Sequence, residues 1–147
     1  MSKRVLHLLH VDDSEDDRFL FARCANQLSI PFSLTAARGG PEALQNLSEA
    51  HRLPDLILLD IKMPGMGGFE VLEKLKADGR FSSIPVVMLS SSNHPDDLKR
   101  AETLGAYSYC VKPAGLPEYR TLVTHIYESW LHSTRPCPSP ELDAPRT

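Results

Sequence analysis

Short apolar runs alternate with amphipathic stretches almost to the end of the chain. The apolar runs predict strands at Val5–Val11, Phe32–Ala37, Leu56–Asp60, Pro85–Ser90 and Tyr107–Val111. Leu56-Ile57-Leu58-Leu59 and Val86-Val87-Met88-Leu89 show no polar alternation, as expected of parallel strands buried on both faces. The intervening stretches carry helix signals. Ser14 followed by Asp17 forms an acidic variant of the capping box, after which Leu20, Cys24 and Leu28 share one face. Pro41 and Pro95 stand where a first helical residue is expected, because proline's missing N–H costs nothing there. Gly105 closes the stretch Leu98–Ala101–Leu104 as a residue suited to a left-handed cap. Leu122, Val123, Ile126 and Trp130 form the apolar face of a last helix that starts near Pro117 and Glu118. Successive β–α units of this kind imply a doubly wound α/β fold, a five-stranded parallel sheet with helices on both faces.

After Trp130-Leu131 the pattern stops. Pro136, Pro138, Pro140 and Pro145 stand among few apolar residues, so a domain over residues 4–131 and a disordered, proline-rich tail over 132–147 are expected. A second folded domain, such as a DNA-binding output module, is therefore not expected within these residues. With 147 residues, 41% hydrophobic and 24% charged, the chain can build one real core. A net charge of -3 without a basic stripe argues against nucleic acid as a partner. Val5–Val11 is too short, and too interrupted by His7 and His10, for a signal peptide or a membrane span, so a cytoplasmic location is expected. The three cysteines, Cys24, Cys110 and Cys137, are odd in number and lack metal-ligand spacing, which predicts reduced thiols. Cys24 and Cys110 are then expected to act as small buried hydrophobes.

The placement of charge carries the chemistry. Asp12 and Asp13 follow the first strand, Asp60 ends the third, Ser90 the fourth and Lys112 follows the fifth. With strand order 2-1-3-4-5, the carboxyl ends of strands one and three flank the topological switch point, where ligands bind in open parallel sheets. Three carboxylates converging there repel: two unit charges 4 Å apart interact by about 4 kcal/mol at an effective dielectric near 20. A hard divalent cation with oxygen ligands relieves this, and Mg²⁺ retains waters that a phosphoryl oxygen can replace. Lys112 adds a point positive charge and the Ser90 hydroxyl a hydrogen-bond donor. A carboxylate with these neighbours is suited to forming an acyl phosphate.

Asp12-Asp13-Ser14, the run Leu58-Leu59-Asp60-Ile61-Lys62-Met63-Pro64-Gly65-Met66-Gly67-Gly68, Ser90-Ser91 and Lys112-Pro113 together resemble the receiver domain of two-component response regulators. The resemblance implies the flavodoxin-like receiver fold and a phosphoacceptor at Asp60, loaded from a phosphohistidine of a sensor histidine kinase. It implies Mg²⁺ (or Mn²⁺) on Asp13, Asp60 and the backbone carbonyl of Lys62, with Asp12 acting directly or through water. Lys112 and Ser90 would bind the phosphoryl group, and a cis bond is expected between Lys112 and Pro113. Ser90 and Tyr109 would form the switch that remodels the face of the fourth helix, fifth strand and fifth helix. The chain departs from the usual pattern in carrying serine rather than threonine at 90 and a lysine at 62. Tyr127-Glu128-Ser129-Trp130-Leu131, with Tyr119 upstream, is similar to stand-alone regulators that partner bacterial phytochromes. The resemblance implies a homodimer through the face of the fourth helix, fifth strand and fifth helix, with Tyr119 and Trp130 as the candidate contact; sealing the core is the other role open to Trp130. The downstream protein partner is not identified by these residues.

Such a protein is not an enzyme acting on others; its chemistry is its own phosphorylation and dephosphorylation. A phosphate sink or relay intermediate is an alternative within the family. A small Mg²⁺-dependent phosphatase with an aspartyl-phosphate intermediate would carry Asp-x-Asp after the first strand and a cap domain, whereas Asp12-Asp13 are adjacent and no residues are free for a cap. A pseudo-receiver would lack one of the acids or the lysine. Single residues have simpler expectations: His7 and His10 as hydrogen-bonded core histidines, His94 as a cap, and Asp16 and Asp17 as acids favoured by a helix dipole.

Overall fold

The structure, a computed structural model, describes residues 4–91 and 94–137. Strands β1 (Leu6–Val11), β2 (Phe32–Ala37), β3 (Leu56–Asp60), β4 (Val86–Ser90) and β5 (Ser108–Val111) alternate with helices α1 (Glu15–Gln27), α2 (Gly40–Glu49), α3 (Gly68–Ala77), α4 (Pro95–Thr103) and α5 (Leu116–Leu131). The strands form one parallel sheet of order β2-β1-β3-β4-β5.

The unbroken apolar runs are explained by a core on each side of this sheet. Alternate strand residues point to opposite faces. Leu9, Ile57, Leu59, Val86 and Met88 pack with α2, α3 and α4, while Leu8, Leu58, Val87 and Leu89 pack with α1 and α5. Every residue of β3 and β4 is buried. Each such aliphatic side chain contributes about 1.5–3 kcal/mol relative to exposure.

Most local signals act as read. Ser14 Oγ accepts from the Asp17 N–H at 3.2 Å, and His94 Nδ1 accepts from the Asp96 N–H at 3.3 Å at the start of α4. Gly105 takes φ +89°, and the N–H groups of Gly105 and Ala106 close the end of α4 on the carbonyls of Glu102 and Ala101. Other expectations are corrected. The stripe α1 buries is Phe21, Cys24 and Ala25, whereas Leu28 is 38% exposed, because the helix ends at Gln27 and Leu28 caps it. The return arm of the capping box is absent: Asp12 Oδ1, not Asp17, accepts from the Ser14 N–H. His10 is buried against Phe21, with ring centroids 5.1 Å apart, but its Nε2 has no hydrogen-bond partner. Burial and the positive charge of Lys112 lower its pKa to about 4, so it stays neutral.

The cysteine expectation also changes. Cys110 and Cys137 form a disulfide, with Cα atoms 5.2 Å apart, and Cys24 is a buried free thiol. Residues 133–137, assigned above to a disordered tail, fold back beside β5. Pro136 is buried, Arg135 lies over the Tyr107 ring at 5.9 Å, and Cys137 packs with the α1–α5 core. Residues 138–147 of that expected tail lie outside the described residues.

Candidate functional site

The carboxyl ends of β1, β3, β4 and β5 meet in one crevice. Asp12 is fully buried, Asp60 and Ser90 are buried, and Asp13 is exposed at the rim. The backbone holds Asp12 tightly. Its N–H donates to the Ala37 carbonyl at 3.0 Å, its Oδ1 accepts from the Ser14 N–H at 2.9 Å, and Arg18 Nη1 donates to its carbonyl at 2.6 Å.

Asp60 is fixed by the turn that follows it. Gly65 adopts φ +77°, a conformation that favours glycine. The Gly68 N–H then donates to the Ile61 carbonyl at 2.8 Å. A Cβ on Gly68 would lie 2.2 Å from the Asp60 carbonyl oxygen, so glycine is what lets α3 start against the strand end. Met63 is buried and anchors the loop, whereas Lys62 is exposed.

Lys112 crosses to these acids from β5. Its N–H donates to the Ser90 carbonyl at 2.6 Å, and its ammonium lies 3.1 Å from Asp12 Oδ2, 3.4 Å from Asp60 Oδ2 and 3.0 Å from Asp17 Oδ2. It reaches them from a trans Lys112–Pro113 peptide, since no cis bond occurs among the described residues. The expected cis bond is thus corrected; trans is the lower-energy isomer for X–Pro, and the ammonium is delivered without the change.

Charge in the crevice is unbalanced. Burial, and then the negative charge of Asp12, raise the Asp60 pKa to about 7. Burial also raises Asp12, against the opposing pull of the Ser14 N–H and Lys112. Burial alone would lower Lys112, but its hydrogen bond to Asp17 and the charges of Asp12 and Asp60 outweigh this and raise it. One ammonium does not offset the acids. Carboxylate oxygens of Asp12, Asp13 and Asp60 lie within 4.8 Å of one another, and Asp12 Oδ2, though ion-paired with Lys112, accepts no hydrogen bond. These hard oxygen donors and the orphaned oxygen fit a divalent cation of the Mg²⁺ or Mn²⁺ type.

The two candidate switch residues are in contact. Tyr109 is 3% exposed on the α4 side of β5, and its hydroxyl is hydrogen-bonded to the side chain of Ser90. Burial raises the Tyr109 phenol, with Ser90 pulling the other way.

The candidate dimer contact does not hold as a pair. Tyr119 is 1% exposed, and its hydroxyl is turned into the crevice to donate to Asp17 Oδ1. It is excluded from a surface contact because that hydroxyl finds an ionised acceptor inside. Trp130 is half-buried near the amino ends of the strands, with the Arg4 guanidinium 4.5 Å from its ring centroid. Asp17 itself is the site residue that sequence reasoning missed. It looked like an ordinary first-turn acid, and its partners Lys112 and Tyr119 lie 95 and 102 residues away.

Comparison with known proteins agrees with this arrangement. Residues 8–124 match the family model described as "Response regulator receiver domain". The probable methanogenesis regulatory protein FilR2 of Methanothrix harundinacea is 34% identical over 128 residues, covering 84% of this chain and 83% of that protein. The two-component response regulator ORR11 of Oryza sativa subsp. indica is 38% identical over 120 residues, covering 82% and 80%. Among solved structures, the phosphorylated cyanobacterial phytochrome response regulator RcpA superposes with TM-score 0.81 at 32% identity, covering 89% of this chain and 97% of that one. The Mn²⁺-bound form of response regulator Rcp1 gives 0.77 at 30% identity, covering 90% and 99%. Among the described residues, no helix is long and apolar enough to cross a membrane. Fold, crevice and family model agree: the chain belongs to the response regulator receiver family of two-component signalling.

Proposed function

We propose that this protein is a phosphorylation-controlled signalling module in which Asp60 accepts a phosphoryl group from a histidine kinase. The observation that carries this reading is the Lys112 ammonium, 3.4 Å from Asp60 Oδ2, beside a metal-competent group of acids. An Asp60 carboxylate oxygen attacks the phosphorus of a phosphoimidazole, a P–O bond forms, the P–N bond breaks, and the electron pair leaves with the imidazole. Asp60 must be ionised to attack. Asp12, Asp13 and Asp60 would hold Mg²⁺ or Mn²⁺, joined by the Lys62 carbonyl, and the ion supplies positive charge to the transferring oxygens. Lys112 keeps a fixed positive charge beside Asp60 and can donate to a phosphoryl oxygen. Ser90 can donate its hydroxyl to the same group, which draws it away from Tyr109. Loss of that bond couples a local charge to the face of α4, β5 and α5, where Val111 is 49% exposed. A downstream protein or a second copy of the chain reads that face.

The similarity to RcpA, a phytochrome response regulator, supports a phytochrome-coupled kinase as the donor. The bacteriophytochrome response regulator AtBRR, at TM-score 0.68 and 30% identity, adds to this. Phosphotransfer from a panel of autophosphorylated kinases, one of them phytochrome-coupled, tests both levels. Rapid loading of wild type but not Asp60→Asn from the phytochrome-coupled kinase supports the full reading. Loading from other kinases alone removes the phytochrome link, and equal labelling of Asp60→Asn removes the phosphoacceptor.

A further inference from the structure

Lys112 is held by carboxylates of two kinds. Asp12 and Asp60 belong to the group whose oxygens can hold a cation; Asp17 does not. Asp17 makes the shortest of the three contacts, 3.0 Å, from the first turn of α1. It is itself constrained on several sides. Its N–H is taken by Ser14 Oγ, and its Oδ1 accepts the hydroxyl of Tyr119, a buried residue of α5. An acid serving only the helix dipole would lie in solvent, as the exposed neighbours Glu15 and Asp16 do. Asp17 turns inward.

The ammonium has three protons to give. A divalent ion on Asp12, Asp13 and Asp60 draws on two of the three carboxylates that hold it. What remains is Asp17, oriented by Tyr119.

We infer that Asp17 is a positioning residue which, with Tyr119, keeps the Lys112 ammonium at the crevice when Asp12 and Asp60 turn to the metal. The inference rests on the reading of Asp60 as phosphoacceptor. It makes Tyr119–Asp17–Lys112 a side-chain chain from α5 through α1 to the phosphoryl site. Asn at 17 still accepts from Tyr119 but cannot pair with the ammonium; Phe at 119 leaves the pair but removes its orientation.

Beryllofluoride with Mg²⁺ is the probe, with binding followed by fluorine NMR on the full chain. Asp17→Asn is expected to weaken apparent beryllofluoride affinity about five- to tenfold, the scale of one partly exposed charge-assisted hydrogen bond. Tyr119→Phe is expected to weaken it about two- to threefold. In a Lys112→Met background, studied at higher beryllofluoride, Asp17→Asn should have no further effect, because its target is gone. A second readout is the ¹⁵N ammonium signal of Lys112 in Mg²⁺-saturated protein, which should be visible in wild type, weaker in Tyr119→Phe and lost in Asp17→Asn. An equal penalty with and without Lys112, or an ammonium signal unchanged in Tyr119→Phe, overturns the inference. Should Asp17→Asn fail to fold, the Tyr119→Phe signal decides alone. Failure of wild type to bind beryllofluoride is a different result, and removes the phosphoacceptor reading instead.

Discussion

Removing the charge of Asp60 should stabilise the metal-free protein by an amount that grows as pH rises from about 4 to about 7 and is complete above that. Asp60 has its pKa raised from 3.8 to about 7, chiefly by burial and then by Asp12. A carboxyl that binds its proton more tightly when folded stabilises the fold while protonated. That contribution is present below the ordinary carboxylate value and is lost as pH rises toward 7. The interval from 3.8 to about 7 corresponds to about 4 kcal/mol. The opposing pull of Lys112 is already contained in that interval, and the repulsion is shared with Asp12, so about 2 kcal/mol is the expected gain in a variant. His10 acts in the opposite sense: lowered from 6.5 to about 4, it costs stability as pH falls through that range. It is present in both proteins and cancels from their difference. Thermal unfolding in chelator should therefore show Asp60→Asn equal to wild type at about pH 4 and more stable near pH 8. The gap should be about 5–10 °C at the higher pH. Mg²⁺ should close it by stabilising wild type selectively. A gap that is the same at both pH values, or that closes without metal, refutes the electrostatic account of the crevice.

Gly68→Ala should be far more damaging than a surface glycine change. Its Cβ would sit 2.2 Å from the Asp60 carbonyl oxygen and 2.8 Å from the Ile61 Cα, so α3 must shift, at a cost of about 1–3 kcal/mol in chemical unfolding. Gly79→Ala, where a Cβ meets nothing within 4 Å, is the control. The disulfide closes a separation of 27 residues, and reduction or Cys137→Ser should cost about 3 kcal/mol. Thiol titration in denaturant checks the pairing: one reactive thiol, Cys24, without reductant, and three after it.

The strands were legible because burial on both faces leaves a compositional trace, as in Leu56–Leu59 and Val86–Leu89. The crevice was legible because its acids, serine and lysine stand at strand ends, where the topology brings them together. What escaped depends on partners remote in sequence. Ser14 and Asp17 fit a capping box locally, and nothing nearby shows that Lys112 and Tyr119 arrive to turn Asp17 inward. Tyr119 looked like a surface aromatic for the same reason. An odd cysteine count favoured free thiols, yet the return of residues 133–137 along β5 brings Cys137 to Cys110. Pro113 stays trans because the isomer of an X–Pro bond is decided by its surroundings rather than by the dipeptide.

In the proposed chemistry Asp60 takes up a phosphoryl group with the help of a divalent ion. Intact-mass spectrometry after incubation with acetyl phosphate tests it most directly. One added phosphoryl group is expected on wild type in Mg²⁺, none in chelator and none on Asp60→Asn. Labelling that persists in Asp60→Asn, or that ignores the metal, would contradict it.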